Sequence, residues 1–494
     1  MAEIKLVDVS IRDGNQSLWG ATGLDTSQML TVAPLLERVG FRAIDFISST
    51  HMGIAVRTFQ ENPWRLIRLM RKATPTTPLQ FIGTGFRFVS WEAADHDFMR
   101  LVYRCLIEAG ISRFIVLDPM HDMGALLRVA RIVREEGADE IMAAFTYTLS
   151  DVHDDAFYAG IARRVAASPD VDMAYLKDPA GLLTPERART LIPALVEAMA
   201  GKPLELHSHC TVGLAQFTYL DAPGLGIDTL HVAAGPLANG TSLPSATNIV
   251  ANLREAGHTV DIDDRALALV CDYFGRLAEA EGLPVGRPQE YDASFLRHQL
   301  AGGVMTTLKR QLAELGLEDR LDAVIEEVER VRAELGYPIM VTPFPQIVCA
   351  QAVYNVVSKT RYEKVPDQAI RYVLGRFGKP TAEVQPDVKD RILGSARAKA
   401  IMAEPPLMTL AESRKKFPHV KSDEEFLLRA VMPAEQVDAM LSAGKTPTDY
   451  NPDTRPIIEL LKGLATRPPQ RQVVVEKPGF RLELRGRGSG GDQA

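Results

Sequence analysis

The chain of 494 residues has few cysteines, no long apolar run and no excess of positive charge. Its four cysteines, Cys105, Cys210, Cys271 and Cys349, are scattered without paired spacing, which is typical of reduced thiols and argues against a disulfide framework or a zinc knuckle. No stretch of about 18 apolar residues is present, so the sequence predicts no transmembrane helix. A formal net charge of −7 offers no basic footprint for a nucleic acid.

The first residues, Met1 to Lys5, lead directly into a strand pattern and lack the apolar segment of a signal peptide. Together with the unpaired cysteines, this predicts a cytoplasmic protein with no membrane segment of its own and no nucleic-acid partner. The length allows two or three domains. An apolar fraction of 46% and a charged fraction of 24% are ordinary for a globular protein.

Eight apolar, strand-like runs alternate with amphipathic helical patterns in the first half of the chain. The runs are residues 5–9, 43–47, 79–83, 114–117, 141–145, 173–176, 204–207 and 228–232. Eight strand–helix units in about 250 residues match the size of a TIM (β/α)8 barrel, which is an α/β fold. An open doubly wound sheet is the alternative, but it usually has fewer strands, and no Gly-x-Gly-x-x-Gly fingerprint follows the first run.

From about residue 255 the pattern changes to long helices, which continue to about residue 462. We therefore predict a TIM-barrel domain with the metal site over residues 1–255 and a mostly helical domain, completing the active-site funnel, over residues 256–465. Residues 466–494 are predicted to hold a proline-containing linker, a β-hairpin and a Gly-rich disordered tail.

Polar residues at the ends of the predicted strands suggest a metal site. His207 and His209 end the seventh run, and strand alternation puts both imidazoles on one side, where they can share a divalent ion. Histidines two apart also occur by chance on solvated strands. Lys177 ends the sixth run, and it can be an ordinary ammonium paired with Asp178 or Asp13. In a barrel the carboxyl ends of all strands meet at one mouth, so Asp13 joins the two histidines there.

Several motifs together resemble the carboxyltransferase or decarboxylase subunits of biotin-dependent enzymes. This family includes the carboxyltransferase domain of pyruvate carboxylase, the alpha subunit of oxaloacetate decarboxylase and the small-ketoacid subunit of transcarboxylase, all within the metal-dependent TIM-barrel lyases. The matching runs, in the family's order and spacing, are residues 11–18, 61–64, 176–183, 207–209, 302–305, 341–343 and 346–348.

The resemblance implies that Asp13, His207 and His209 bind one divalent metal, which is zinc, manganese or cobalt. It further implies that Lys177 is an N6-carboxylysine and supplies an oxygen ligand. This chemistry is reasonable, because a lysine in a desolvated site has a lowered pKa and its neutral amine can add carbon dioxide. The anion that results is a ligand suited to a hard or borderline cation.

The resemblance also implies the reaction. A carboxyl group moves between carboxybiotin and a small carbonyl-containing acceptor through a metal-polarised enolate. Thr342 would pass a proton between substrate and biotin, and its alternative role is an N-cap before Pro343. Gln16 would help to hold the substrate, and its alternative role is that of a loop-stabilising amide.

The absence of a Met-Lys-Met run predicts that biotin is carried on a separate carrier protein. A biotin carboxyl carrier protein and a biotin carboxylase subunit are therefore the expected partners. Family resemblance adds the expectation of a homodimer or larger assembly.

The sequence departs from the family where the substrate is expected to bind. Thr84 stands where pyruvate-using members have an arginine that clamps the substrate carboxylate, and Arg87 is a candidate replacement three residues on. Asn15 replaces a histidine, and His231 replaces an acid. A threonine cannot make the bidentate, charge-assisted pair of an arginine. We therefore predict an acceptor that resembles pyruvate or oxaloacetate but is not plain pyruvate.

Two other functions fit part of the pattern. A biotin-independent metal-dependent lyase, aldolase or acyl-CoA synthase would use the same Asp13 and histidines, but it needs neither the Lys177-Asp178 run nor the helical region around Thr342. A non-catalytic scaffold subunit would have lost activity. The intact set of four metal-site residues argues against the scaffold, since drift would be expected to break at least one.

Overall fold

The computed structural model describes residues 1–89, 94–300, 302–404, 407–451, 472–477 and 480–485. Within these residues, eight parallel strands close into a barrel in sequence order, as predicted. The strands are β1 (Lys5–Asp8), β2 (Ala43–Ser48), β3 (Leu79–Thr84), β4 (Arg113–Leu117), β5 (Glu140–Thr146), β6 (Met173–Asp178), β7 (Leu204–Ser208) and β8 (Thr229–Val232). The predicted runs differ from these strands by two residues or fewer at either end, because strand pairing and not side-chain pattern decides where a strand stops.

The register of neighbouring strands brings the polar strand ends together. Lys177 of β6 lies beside His207 of β7, and His231 of β8 lies beside Val7 of β1. Because all eight strands are parallel, their carboxyl ends open at the same mouth of the barrel. The fold thus turns residues far apart in sequence into neighbours around one opening.

Helices surround the barrel and bury its outer face. They are α1 (Asn15–Trp19), α2 (Thr26–Val39), α3 (Ser49–Ile54), α4 (Pro63–Ala73), α5 (His96–Ala109), α6 (Met123–Glu135), α7 (Asp155–Ala166), α8 (Pro185–Ala198), α9 (Ala215–Asp221), α10 (Ala246–Glu255) and α11 (Asp264–Glu281). The sequence between β6 and β7 predicts a helix over 184–200. In the structure Thr184 is the N-cap of α8, and its hydroxyl accepts a hydrogen bond from the backbone N–H of Arg187 at 3.2 Å.

A second hydrophobic core forms from the helices that follow. These are α13 (Gly302–Glu314), α14 (Leu321–Glu334), α15 (Phe344–Val357), α16 (Asp367–Val373), α17 (Pro386–Leu393) and α18 (Ala396–Met402). The short α12 (Ser294–His298) comes before them, and its Phe295 and Leu296 pack against the barrel core. Polar contacts fasten the second core to the barrel, since Arg332 donates to the hydroxyl of Thr148 and to the carbonyl of Leu149, each at 2.8 Å.

The chain then returns to the barrel through α19 (Leu410–Lys416), α20 (Asp423–Val431) and α21 (Ala434–Ser442). Phe426 packs against Phe98 of α5 with ring centroids 6.2 Å apart, and Trp64 donates its indole N–H to the carbonyl of Glu424 at 3.2 Å. The barrel's core therefore draws residues from both sides of the helical core.

The predicted hairpin is present as the antiparallel strands β9 (Gln472–Lys477) and β10 (Phe480–Arg485). The predicted linker at 466–470, the predicted disordered tail at 486–494 and the last stretch of the predicted helical domain lie outside the described residues. Among the described residues, we find no helix with both the length and the apolar character needed to cross a membrane.

Candidate active site

Asp13, His207 and His209 form a compact, buried donor cluster at the barrel mouth. Asp13 lies in a π-helical turn, Ser10–Gly14, directly after β1, while His207 is on β7 and His209 follows that strand. The Nε2 atom of His207 is 3.1 Å from Oδ2 of Asp13 and 3.3 Å from Nε2 of His209. The Nε2 atom of His209 is 3.4 Å from Oδ1 of Asp13. All three donor atoms lie within 4.8 Å of one another, which is the arrangement needed to share one cation.

Lys177 extends from β6 into the same cluster. Its Nζ is 3.1 Å from Nε2 of His207 and 3.4 Å from Oδ2 of Asp13. Burial lowers the pKa of Lys177, and the nearby Asp13 carboxylate opposes that shift. A lysine in this state has a larger fraction of neutral amine than an exposed one, which is the form that reacts with carbon dioxide.

Asp178 does not pair with Lys177. Its carboxylate accepts hydrogen bonds from the backbone N–H groups of Leu182 and Leu183, each at 2.8 Å, and from the hydroxyl of Ser208 at 2.7 Å. This residue therefore ties the loop after β6 to the end of β7. It thereby links the carboxyl ends of β6 and β7.

Arg12 forms ion pairs with Asp13 and with a second carboxylate, Asp45. Arg12 contacts Oδ2 of Asp13 at 2.7 Å through Nη1, and its Nε donates to Oδ2 of Asp45 at 2.9 Å. Burial alone would raise the pKa of Asp13, but Arg12, His209 and Lys177 hold it well below its usual value. Asp13 is therefore an anion at neutral pH, the form in which a carboxyl group binds a metal.

Further contacts orient the donors. The hydroxyl of Ser17 donates to Oδ1 of Asp13 at 2.9 Å, and the backbone carbonyl of Thr241 lies 2.7 Å from Nδ1 of His209. The Thr241 contact fixes a proton on Nδ1 of His209 and leaves Nε2 of that ring free to bind a cation. Burial lowers the pKa of His207 well below its usual value, so the His207 ring is neutral.

These donors fit a divalent cation with mixed nitrogen and oxygen ligands. Two imidazoles and a carboxylate supply three ligands. A carboxylated Lys177 would supply a fourth, because its Nζ is next to Asp13 and His207. The three donor residues are buried and their donor atoms are close enough together to contact one ion.

A cavity of about 400 Å³ opens above the cluster, between the barrel and the helical core. Its walls come from both. The barrel contributes Arg12, Asp13, Gln16, Ser17, Ser48, Ser49, Thr50, Ile82, Thr84, Leu117, Lys177, Pro179, His209 and Thr241, and the helices contribute Val304, Thr307, Leu308, Gln311, Met340, Val341, Thr342, Pro345, Gln346, Cys349 and Ala350.

Four of the predicted substrate-contacting or catalytic residues line this cavity, namely Gln16, Thr84, Lys177 and Thr342. Thr342 precedes α15 and faces the barrel mouth from the helical side. The alternative role of Thr342 as a helix cap is not realised, because α15 begins after Pro343 with no side-chain capping hydrogen bond.

The other three predicted substrate residues lie away from the cavity walls. Asn15 is fully buried, and its side-chain oxygen accepts from the backbone N–H of Gly23 at 3.1 Å. Arg87 is buried with its guanidinium carbon 5.7 Å from the centre of the Phe377 ring. Burial lowers the pKa of Arg87, and the neighbouring Asp118 opposes that shift. His231 lies in the barrel interior beneath His207.

Several residues of the site were not identified from the sequence. Asp45 lies inside a buried strand and carries no motif of its own, while Thr307 and Gln311 reach the cavity one turn apart on α13. The spacing of four residues that puts the latter two on one helix face was visible in the sequence, but nothing there indicated which face meets the barrel.

The comparisons with known proteins agree with this geometry. A family model described as "Conserved carboxylase domain" matches residues 295–462. The chain is 32% identical over 491 residues to a pyruvate carboxylase subunit of Methanocaldococcus jannaschii, an alignment that covers 98% of this chain and 84% of that relative. The chain belongs to the carboxyltransferase subunits of the biotin-dependent carboxylases.

This carboxyltransferase has other relatives of the same kind. It is 28% identical over 505 residues to the 2-oxoglutarate carboxylase large subunit of Hydrogenobacter thermophilus, an alignment that covers 98% of this chain and 76% of that relative. Its fold resembles the carboxyl transferase domain of Rhizobium etli pyruvate carboxylase solved with pyruvate and biocytin, with a TM-score of 0.80, 23% identity, and coverage of 98% and 84% of the two chains. The predicted family, fold and enzyme class are confirmed, and the biotin-independent lyase is not favoured.

Proposed function

We propose that this carboxyltransferase moves a carboxyl group between carboxybiotin on a separate carrier protein and a small carbonyl acceptor held in the 400 Å³ cavity. The observation that carries the proposal is the make-up of the cavity wall. It joins the buried donors Asp13, Lys177 and His209 from the barrel to Thr342 from the helical side. A site of this composition offers a cation-binding floor and a neutral hydroxyl above it. We further propose that residues 1–255 supply the metal site and residues 256–465 complete the funnel.

The floor of the site would hold a zinc, manganese or cobalt ion through Asp13, His207, His209 and a carboxylated Lys177. Such an ion, when bound, polarises the acceptor carbonyl and so favours loss of a proton from the neighbouring carbon. Arg12 holds Asp13 in its ionised form and keeps it aimed at the cluster.

Thr342 would move the proton. The acceptor loses a proton from carbon to the Thr342 oxygen while the hydroxyl gives its own proton to the biotin nitrogen. The N–carboxyl bond of carboxybiotin breaks, and the released carbon dioxide forms a C–C bond with the acceptor carbon. The exchange balances as acceptor C–H plus carboxybiotin giving carboxylated acceptor plus biotin N–H, and it runs in either direction. A hydroxyl performs this shuttle when both partners are within hydrogen-bonding distance.

The acceptor is proposed to be a carbonyl compound other than plain pyruvate, with Gln16 and Thr84 among its contacts. Among the described residues lining the cavity, Arg12 and Lys177 are the arginine and lysine side chains. Neither is available to bind a substrate carboxylate. Arg12 already pairs with Asp13 and Asp45, and Lys177 contacts Asp13 within the proposed metal site. A substrate carboxylate would thus meet hydroxyl and amide groups where an arginine would have formed a charge-assisted pair.

The remaining proposals concern the setting of the enzyme. We propose that a biotin carboxyl carrier protein and a biotin carboxylase subunit are its partners, and that it forms a homodimer or larger assembly in the cytoplasm. The support is the family to which the chain belongs, whose M. jannaschii relative is named as one subunit of a pyruvate carboxylase.

One set of measurements tests the proposed function. The metal content and intact mass of the purified protein are determined, and free carboxybiotin is then supplied with a panel of 2-oxo acids and acyl-CoA esters. We expect one divalent ion per chain, a mass increase equal to one carbon dioxide on Lys177, and transfer to at least one 2-oxo acid that is faster than to pyruvate. Pyruvate as the best acceptor would remove the substrate proposal, and transfer without any bound metal would remove the proposed mechanism.

A further inference from the structure

A column of polar side chains continues beneath His207, away from the cavity and into the barrel interior. Nδ1 of His207 is 3.2 Å from Nδ1 of His231, and Nε2 of His231 is 2.9 Å from Oε2 of Glu205. The other oxygen of Glu205 accepts a hydrogen bond from Nη2 of Arg113 at 2.5 Å. The side chains of His231 and Arg113 have no exposed surface, and that of Glu205 is 3% exposed. This column replaces part of the branched aliphatic packing that usually fills a barrel interior.

The column allows a unique assignment of protons when a cation is bound. Two ring nitrogens that face each other form a hydrogen bond only if one of them carries a proton. Nε2 of His207 faces Asp13 and His209, so a bound cation takes its lone pair and the proton lies on Nδ1. His207 therefore donates to Nδ1 of His231.

The remaining two contacts follow from this first one. His231 accepts at Nδ1, so its own proton lies on Nε2 and is donated to Glu205. Arg113 only donates, so it occupies the second oxygen of Glu205. Each of these three contacts then has one donor and one acceptor.

We propose that His231 and Glu205 are positioning residues that fix the tautomer and ring orientation of His207 for the metal, with Arg113 as the anchor. This inference rests on the metal site of the proposed function. The other imidazole shows why a column is needed. His209 meets the backbone carbonyl of Thr241, which can only accept. His207 contacts the imidazole of His231, which can either accept or donate a hydrogen bond. Which of the two His231 does is set by Glu205, the next residue in the column.

Glu205→Gln gives the sharpest consequence, because it changes no residue in contact with the metal. Arg113 requires an acceptor, so the amide oxygen of the new side chain faces it and the amide NH2 faces Nε2 of His231. That nitrogen must then accept, which moves the His231 proton to Nδ1. The Nδ1 atom of His207 must accept in turn, so its proton moves to the nitrogen that faces the metal.

The test measures zinc affinity of the whole protein by competition with a chromophoric chelator. Hydrogen-bond partners of a metal-bound histidine typically contribute about 10- to 100-fold in affinity. We expect losses of that size for Glu205→Gln and for His231→Leu. His231→Asn, whose amide oxygen takes the position of Nδ1, and the control Tyr175→Phe are expected to stay within about threefold of the parent. Tyr175 stacks on His231 with ring centroids 5.4 Å apart, and its buried hydroxyl has no hydrogen-bond partner among the described residues, so its loss leaves the column intact.

A second readout reports the tautomer directly. In zinc-loaded protein labelled with 15N at histidine, Nδ1 of His207 is expected to carry its proton in the parent, in Tyr175→Phe and in His231→Asn, and to lose that signal in Glu205→Gln. Affinities of Glu205→Gln and His231→Leu that match the Tyr175→Phe control would overturn the inference while leaving the metal site standing. If His231→Leu does not fold, Glu205→Gln alone decides. A parent protein that binds no zinc would overturn both the inference and the metal site.

Discussion

The two ends of the cavity are built from different chemistry. The floor, around Asp13 and Lys177, is dense in ionisable groups that are buried, paired and backed by further charges. The remaining lining, here called the neutral wall, includes Thr84 from the barrel and Thr307 and Thr342 from the helices, and it offers neutral hydroxyl groups. The floor can hold a cation and support bond-making at a carbonyl, which every substrate of such an enzyme requires. In the proposed function, the neutral wall faces the part of the acceptor that differs between substrates, so it is the end at which specificity can change without loss of the reaction.

The largest expected effect is on the floor. Lys177→Ala removes both the fourth proposed ligand and the site of carboxylation, so we expect carboxyl transfer to fall by about a thousandfold or more, consistent with several kcal/mol of electrostatic stabilisation from the metal. The measurement is transfer from free carboxybiotin, together with the intact mass. Lys202→Ala is the matched control, because Lys202 binds the carbonyls of Ser168 and Val171 far from the cluster. Full activity in Lys177→Ala would show that the two ends do not differ as described.

The next largest effect is expected at the neutral wall. Thr342→Ala should bind metal normally but lose carboxyl transfer by about 10²- to 10⁴-fold, the usual contribution of a positioned proton-transfer group. Thr342→Ser keeps the hydroxyl and should recover most of the rate. Metal content and transfer rate are measured on the same samples. A rate equal to that of the parent in Thr342→Ala would remove the shuttle, and a parallel loss of metal would mean that the wall and floor are not separable.

A smaller effect, and a gain, is expected from restoring charge to the wall. Thr84→Arg places a guanidinium where the cavity has a hydroxyl, and a hydrogen bond to a charged group contributes about 1.5 to 3 kcal/mol. We therefore expect kcat/KM for pyruvate to rise by about tenfold to a hundredfold while transfer to the enzyme's best acceptor falls. Thr84→Val serves as the control for shape. If Thr84→Arg leaves pyruvate usage unchanged, the carboxylate is bound elsewhere in the cavity.

The last prediction concerns the contribution of the barrel interior to acid sensitivity. Burial would raise the pKa of Glu205, but Arg113 and His231 lower it from 4.5 to about 2. A lowered carboxylate pKa stabilises the fold above the unfolded-state value, and this stabilisation is lost as the pH falls from about 4.5 to about 2. The pH-dependent part is on the order of 3 kcal/mol.

The measurement is urea unfolding of metal-free protein over that pH range. As the pH falls, the free energy of unfolding of the parent should decrease more steeply than that of Glu205→Gln. The difference between the two free energies therefore narrows. Thr84→Val, which changes only the neutral wall, should parallel the parent throughout. A constant difference between the parent and Glu205→Gln would show that the Glu205 carboxylate does not carry this pH dependence.

Much of the architecture was predictable because its signals are local. Each barrel strand is a short apolar run, and the predicted histidine pair and Asp13 lie at strand ends that a closed parallel barrel brings to one mouth. The positions of Arg87, Asn15 and His231 were not predictable in the same way. Whether a side chain near a strand end faces the cavity, the interior or a neighbouring helix depends on packing partners that come from distant segments, such as Phe377 for Arg87 and Glu205 for His231.

The role of Asp178 illustrates the same limit. Next to Lys177 in sequence, it was a reasonable ion-pair partner, yet strand alternation turns it to the other side, where it binds the loop that follows. The helical wall was visible as a change of pattern near residue 255, but no residue pattern indicated that the later helices would return to the barrel.

That return path has a mechanical consequence. The helical core that carries Thr342 is fastened to the barrel on its entry side, where Gln299 bonds to Thr148, and on its exit side, where Leu410 donates its backbone N–H to Asp95 at 3.1 Å. A body tethered at two separated points cannot swing away like a lid on a single hinge. We therefore expect biotin and acceptor to enter and leave the cavity through side-chain movement or small shear between the packed layers. A rigidly held helical core also keeps the Thr342 hydroxyl at a constant distance from the donor cluster.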